Sequence, residues 1–120
     1  MRSPKFFRVE PSDDALFIAA VANIDGLVED EVRDECESLV EQLKKNNCKH
    51  AIIDLEALEY FGSILLELMV VVWKNVKKSG GKFAVCNVSK VGLEILKTAK
   101  FNTIWPILET REEAIANVNS

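Results

Sequence analysis

His50-Ala51-Ile52-Ile53-Asp54-Leu55, then Ser63–Lys78 (SILLELMVVVWKNVKK), then Ser79-Gly80-Gly81 and Lys82–Asn87 (KFAVCN) decide the fold. The first stretch reads as a short strand buried on both faces. The second is ambiguous at its centre, because Leu68–Trp73 is an unbroken apolar run rich in β-branched valine and alone would pass for a strand. Length settles it: strands seldom exceed about ten residues, and Ser63–Lys78 holds sixteen. Gly80 follows Ser79 where a helix stops in a conformation with positive φ. The reading is strand, connection over 56–62, helix, strand.

Outward from this unit the same alternation continues. Phe6, Phe7 and Val9 begin a strand that Glu10-Pro11-Ser12-Asp13-Asp14 closes as a turn, and Ala15–Ala22 forms its antiparallel partner. After Asn23-Ile24-Asp25-Gly26 the spacing changes. Val28, Val32, Cys36, Leu39, Val40 and Leu43 recur at helical intervals, with Glu29, Asp30, Glu31, Arg33, Asp34, Glu35 and Glu37 as the wet face. Asp25 is the expected N-cap, Lys44-Lys45 suit the negative C-terminal end, and Asn46-Asn47 stop the helix. Downstream, Ser89 caps a helix through Ala99. A short strand lies within Thr103–Glu109, at an edge because of Pro106. Thr110 and Glu113 form a capping box for a last helix through about Asn117. The order β-β-α-β-α-β-α-β-α predicts one α/β domain over residues 1–120: a mixed, mostly parallel sheet packed with α-helices and joined by right-handed crossovers.

Composition narrows the functions. The chain has 120 residues, 48% hydrophobic and 28% charged, which suits a globular domain with its own core. A net charge of −4, with only short basic clusters (Lys44-Lys45, Lys49-His50, and Lys74 with Lys77-Lys78) that read as solvated helix ends, argues against nucleic acid as a partner. Cys36, Cys48 and Cys86 include no C-x-x-C pair and suit a reducing cytoplasm. The longest apolar run, Leu68–Trp73, is far short of the ~20 residues that span a bilayer, so no direct membrane insertion is expected. His50 reads as an exposed residue without a catalytic partner, and Gly80-Gly81 matches no phosphate-binding loop. No enzyme and no cofactor is expected.

Four stretches, in this order and spacing, resemble the STAS domain of bacterial anti-sigma factor antagonists. Ala22-Asn23-Ile24-Asp25 resembles the G-x-L-D turn before the family's first helix. Ile52-Ile53-Asp54-Leu55 resembles its buried hydrophobic-D-L strand. Gly62-Ser63-Ile64-Leu65 falls where the family carries D-S-S-G. Phe101-Asn102-Thr103-Ile104 and Thr110-x-Glu112-Glu113-Ala114 resemble its C-terminal strand and T-x-E-E-A helix start. The resemblance implies a partner that is both serine kinase and anti-sigma factor, and places the phosphoacceptor at Ser63. Unphosphorylated, such a domain binds the kinase and frees the sigma factor; phosphorylated, it lets go. This chain departs from the motif at Gly62, Ile64 and Leu65.

Each residue singled out has two readings. Ser63 is either only an N-cap or a phosphosite whose negative charge falls in a binding surface. On the following helix, Leu65, Leu68, Met69, Val72 and Val76 form the core stripe, while Leu66, Val70 and Trp73 form a second stripe that is either covered or offered to a partner. Tyr60 and Phe61 precede Ser63 as aromatic anchors, one of them expected to be buried. Asn23 and Asp25 serve as turn and cap, or join the partner surface with Gly62. Asp54 reads as solvent-facing at a strand tip. Partner switching through Ser63 is the first function to test. A constitutive interaction subunit of a transport or signalling assembly is the second, and a small-ligand sensor the third.

Overall fold

Strand and helix alternate to build one five-stranded sheet, and the computed structural model describes residues 3–120 of it. The elements are β1 (Phe7–Ser12), β2 (Ala15–Ala20), α1 (Glu29–Lys45), β3 (His50–Asp54), α2 (Ser63–Lys78), β4 (Phe83–Cys86), α3 (Lys90–Thr98), a 3-10 turn (Phe101–Thr103), β5 (Ile107–Leu108) and α4 (Arg111–Val118). The strands lie in sequence order, β1-β2-β3-β4-β5. β1 is antiparallel to β2 and every other pair is parallel, as expected.

Because the strand order never reverses, crossovers of one hand place successive helices on one face. Leu16, Ile18, Ala51, Ile53 and Val85 pack with the buried residues of α1, α2 and α3. The alternate residues Ala15, Phe17, Ile52, Ala84 and Cys86 pack against Ala114 and Val118 of α4. β3 is therefore buried on both faces, as its apolar centre predicts. The expected stripe of α2 holds as well: Leu65, Leu68, Met69, Val72 and Val76 are all at most 2% exposed. Each such side chain gains roughly 1.5–3 kcal/mol on burial. Gly80 stops α2 at φ 80°, where a side chain would be strained.

Several expected boundaries move. β1 continues through Pro11 and Ser12, leaving only Asp13-Asp14 in the turn, with Asp13 at φ 52°. Val21 N–H donates to Phe6 C=O at 3.0 Å, and the register pairs Phe7 with Ala20. The alternation of an antiparallel ladder then turns Pro11 away from β2, where its missing N–H costs nothing. β5 shrinks to two residues: the chain first makes a 3-10 turn, and Trp105, 1% exposed, stacks on Phe101 at 4.3 Å. Pro106 still joins the sheet through its carbonyl, which accepts from Val85 N–H at 2.9 Å. At α4, Thr110 Oγ1 accepts from Glu113 N–H, but the Glu113 carboxylate accepts from Glu109 N–H, one residue before the expected box.

Two polar assignments on α1 are corrected. Its N-cap is Val28, not Asp25, with Glu31 Oε1 accepting from Val28 N–H at 3.1 Å. Glu35 is not on the wet face. It is 3% exposed, and its carboxylate accepts from the N–H groups of Lys5 (3.0 Å) and Phe6 (2.7 Å). The segment before β1 crosses the flank of α1 and needs that acceptor.

Candidate functional site

The N-terminal end of α2 draws together residues distant in sequence. Gly62 is the N-cap of α2 and has no side chain to cap it. Asp25, freed from α1, supplies the missing carboxylate: its Oδ1 accepts from Gly62 N–H at 3.2 Å. Asn23 holds that loop in shape, its Oδ1 accepting from Asp25 N–H at 2.9 Å. A Cβ on Gly62 would come within 2.8 Å of the same Asp25 oxygen. The bare Gly62 and the inserted Asp25 are thus one arrangement, a carboxylate from another loop at the positive end of a helix.

Ser63 is the first residue of α2 rather than its N-cap, which corrects the capping alternative. Its side chain is exposed, and its hydroxyl has no hydrogen-bond partner among the described residues. Beside it the two aromatics separate. Tyr60 is 57% exposed, whereas Phe61 is 3% exposed. The Phe61 ring lies against α3 so closely that a Cβ on Gly92 would sit 2.8 Å from it. Phe61 is therefore a core residue and not a free anchor. Ser89 fixes this packing: its Oγ accepts from Gly92 N–H at 2.9 Å and donates to Glu59 C=O at 2.6 Å.

The second stripe of α2 is half covered. Leu66, Val70 and Trp73 all lean on the core. Trp73 meets Trp105 edge-on at 6.1 Å and carries Lys77 Nζ over its ring at 5.1 Å. An open groove of about 530 Å³ remains between α2 and α3, lined by Leu66, Val91, Glu94, Ile95, Thr98 and Ala99. A second, of about 460 Å³, lies between α1 and α2 and includes Leu27, Val32, Cys36, Ile64 and Val71. Ser63 thus heads a helix with a groove along each flank.

The perturbed ionisable groups lie in structural roles. Burial, reinforced by Glu67, Glu35 and Glu37, pushes the Cys36 thiol up to about 11. Burial and Asp54 push Cys86 up to about 12. Both stay protonated and are poor nucleophiles. His50, expected to be exposed, is 8% exposed, and its Nδ1 accepts from Lys82 N–H at 2.9 Å. Burial and Lys49 hold it below the ordinary histidine range, in the neutral form that bond requires. Asp54 does not face solvent either. It is 5% exposed, with Oδ2 accepting from Arg111 Nε at 2.6 Å and Oδ1 accepting from Glu56 N–H and Asn87 Nδ2. Burial alone would raise its carboxyl. Arg111, the Glu56 amide and Asn87 together outweigh that and hold it below the usual carboxylate range. The network was readable in part, since an Asp ending a strand buried on both faces needs a partner; nothing in the sequence pointed to Arg111.

Among the described residues no cluster of three or more His, Cys, Asp or Glu could hold a metal, and no helix is long and apolar enough to cross a membrane. Residues 7–114 match the sequence profile of the STAS domain. The chain belongs to the STAS domain family. BtrV of Bordetella bronchiseptica, provisionally named an anti-sigma factor antagonist, is 26% identical over 97 residues, covering 80% of this chain and 83% of that one. An anti-sigma-factor antagonist (STAS) domain protein from Planctomyces limnophilus is 29% identical, with a TM-score of 0.76 over 95% of this STAS domain and 98% of that chain. The anti-sigma factor antagonist SpoIIAA in its unphosphorylated form shares the fold, at TM-score 0.77 and 18% identity over 94% of this chain and 96% of that one. The phosphorylated form of SpoIIAA, a Bacillus cell fate determinant, superposes at TM-score 0.69 over 93% and 98% of the two chains, also at 18% identity.

Proposed function

We propose that this STAS domain is an anti-sigma factor antagonist that switches partners through Ser63. Its partner is a serine kinase that doubles as an anti-sigma factor, bound through the head of α2. The observation that carries the reading is the state of Ser63: exposed, first in its helix and without a hydrogen-bond partner among the described residues. A kinase can reach that hydroxyl without unfolding anything. A phosphate there meets the positive end of α2, so the fold tolerates it. It also brings roughly −1.5 to −2 charges beside Asp25 and into the binding surface, which weakens association. SpoIIAA exists in both unphosphorylated and phosphorylated forms, which supports the same chemistry on the same fold. The chain itself needs no nucleotide or metal; the kinase brings its own.

A second reading is a constitutive interaction subunit. It is favoured by Leu65, which stands at the motif's glycine position and is 0% exposed. Mass spectrometry of the protein from its native cells across growth stages separates the two, with Ser63→Ala as control. Phosphate on Ser63 that varies with growth, and a partner released with it, is expected. An unmodified Ser63 in a stable larger assembly at every stage would sink the switching reading.

A further inference from the structure

One helix carries the charge of this chain. α1 holds seven carboxylates against three cations, which equals the whole net charge of −4. Much of that charge borders the groove between α1 and α2. The groove is apolar at Leu27, Val32, Cys36, Ile64 and Val71, and each helix adds a carboxylate to its lining, Glu29 from α1 and Glu67 from α2. At Cys36 and Val71 it runs on into a furrow of about 320 Å³ that adds Glu37 and Glu41 and ends at Lys44 and Asn75. Arg33 also lines the groove, but its guanidinium lies 3.0 Å from the Asp30 carboxylate. The floor senses this acid: after burial itself, the charges that raise the Cys36 thiol are those of Glu67, Glu35 and Glu37, all three carboxylates.

We infer that this α1–α2 groove receives a cationic amphipathic helix of a partner protein. The helix lays its apolar face on Leu27, Ile64 and Val71 and sets lysine or arginine against Glu29, Glu67 and Glu37. Ile64 and Asn75 are eleven residues apart on α2, which is about 16 Å and three turns of a docked helix. The sign of the lining selects the occupant. Along its length four carboxylates stand against Arg33 and Lys44, a field that repels an acidic peptide, an anionic lipid surface and nucleic acid alike. This surface is additional to the one proposed around Ser63. Ser63 lies one helical turn before Glu67, so a phosphate there adds to the negative rim and holds a cationic occupant more tightly. Phosphorylation thus acts on this groove with the opposite sign to its proposed effect on the kinase.

The test uses the full ¹⁵N-labelled chain and two synthetic amphipathic peptides of about 16 residues. They share one apolar face and carry either Lys or Glu on the other. The Lys peptide is expected to shift the amides of Cys36, Ile64, Glu67 and Val71, and to bind more weakly as salt rises. Glu29 and Glu67 are exposed, so the Glu29→Gln/Glu67→Gln double variant keeps the fold, which circular dichroism checks. It should bind the Lys peptide about fivefold more weakly, the worth of two exposed ion pairs. Equal binding of the Glu peptide, shifts confined to α3 or α4, or undiminished affinity of the double variant would overturn the inference. So would the same shifts produced by spermine at the same affinity, or by raising the concentration of the chain alone; the occupant would then be a small polyamine or a second copy. If the Lys peptide binds as expected and Ser63 is never phosphorylated in cells, the groove stands and the switch falls. If Ser63 is phosphorylated while neither peptide binds, the groove assignment alone fails.

Discussion

Replacing Arg111 with methionine tests what fastens α4 to the sheet. Arg111 Nε lies 2.6 Å from Asp54 Oδ2, with side-chain exposures of 33% and 7%. Breaking a buried pair by removing one partner costs about 3–5 kcal/mol. Here the cost is smaller, because Arg111 is a third exposed and Asp54 keeps the Glu56 and Asn87 donors. The second arm, to Glu10 at 3.3 Å and 60% exposed, adds little. Methionine keeps the aliphatic packing beside Phe17 and loses the cation over its ring at 4.7 Å. The expected loss is about 2 kcal/mol, or about 8 °C in Tm for a chain of this size. Urea unfolding at pH 7, followed by circular dichroism, measures it.

Asp54→Asn should cost a similar amount, and the double variant should cost less than the two added, by about 1 kcal/mol. The pH dependence has a definite sign. The folded Asp54 carboxyl lies below its ordinary value, so the unfolded chain binds its proton first as acid is added. The stability from Asp54 is therefore complete above the ordinary carboxylate pKa of about 3.9 and is lost as pH falls through the folded value. Asp54→Asn removes that part of the acid slope. A loss under 0.5 kcal/mol for Arg111→Met, or strictly additive single variants, would refute this account of the network (thresholds of about the size of a surface substitution).

Gly81→Ala should be poorly tolerated, because its Cβ would fall 1.8 Å from Lys49 C=O, a backbone atom at the entry to β3. Chemical denaturation should show a loss of about 3 kcal/mol, while Gly26→Ala, with nothing within 4 Å, should be neutral or slightly stabilising. Ser89→Ala removes both the α3 cap and the tie to Glu59. It should cost about 1–2 kcal/mol and raise the hydrogen-exchange rate of the Gly92 amide, and an unchanged rate would show that the cap is dispensable.

The fold was legible because its signals are local. The buried stripe of α2, the Ser79-Gly80-Gly81 stop, the Ser89 cap and the apolar centre of β3 are each written in a few adjacent residues, and periodicity or stop chemistry reads them directly. Four short signals, in their order and spacing along nearly the whole chain, also pointed to the family. Polar residues satisfied from a distance were not legible. Glu35 lies at a wet position of the α1 pattern and is buried because Lys5 and Phe6 bring it two N–H groups. Asp54 and His50 look exposed at strand ends and are buried because Arg111 and Lys82 reach them.

The candidate site divides the same way. By itself the sequence placed Ser63 at the start of α2 and Asp25 in the loop before α1. Only the tertiary structure carried Asp25 across to Gly62, buried Phe61 against Gly92, left Tyr60 exposed and opened the apolar groove between α2 and α3. The physical reason is range. Helix period, turn chemistry and capping act over about four residues of chain. A buried hydrogen bond or a groove needs partners tens of residues apart, which are adjacent only once the sheet has stacked its strands.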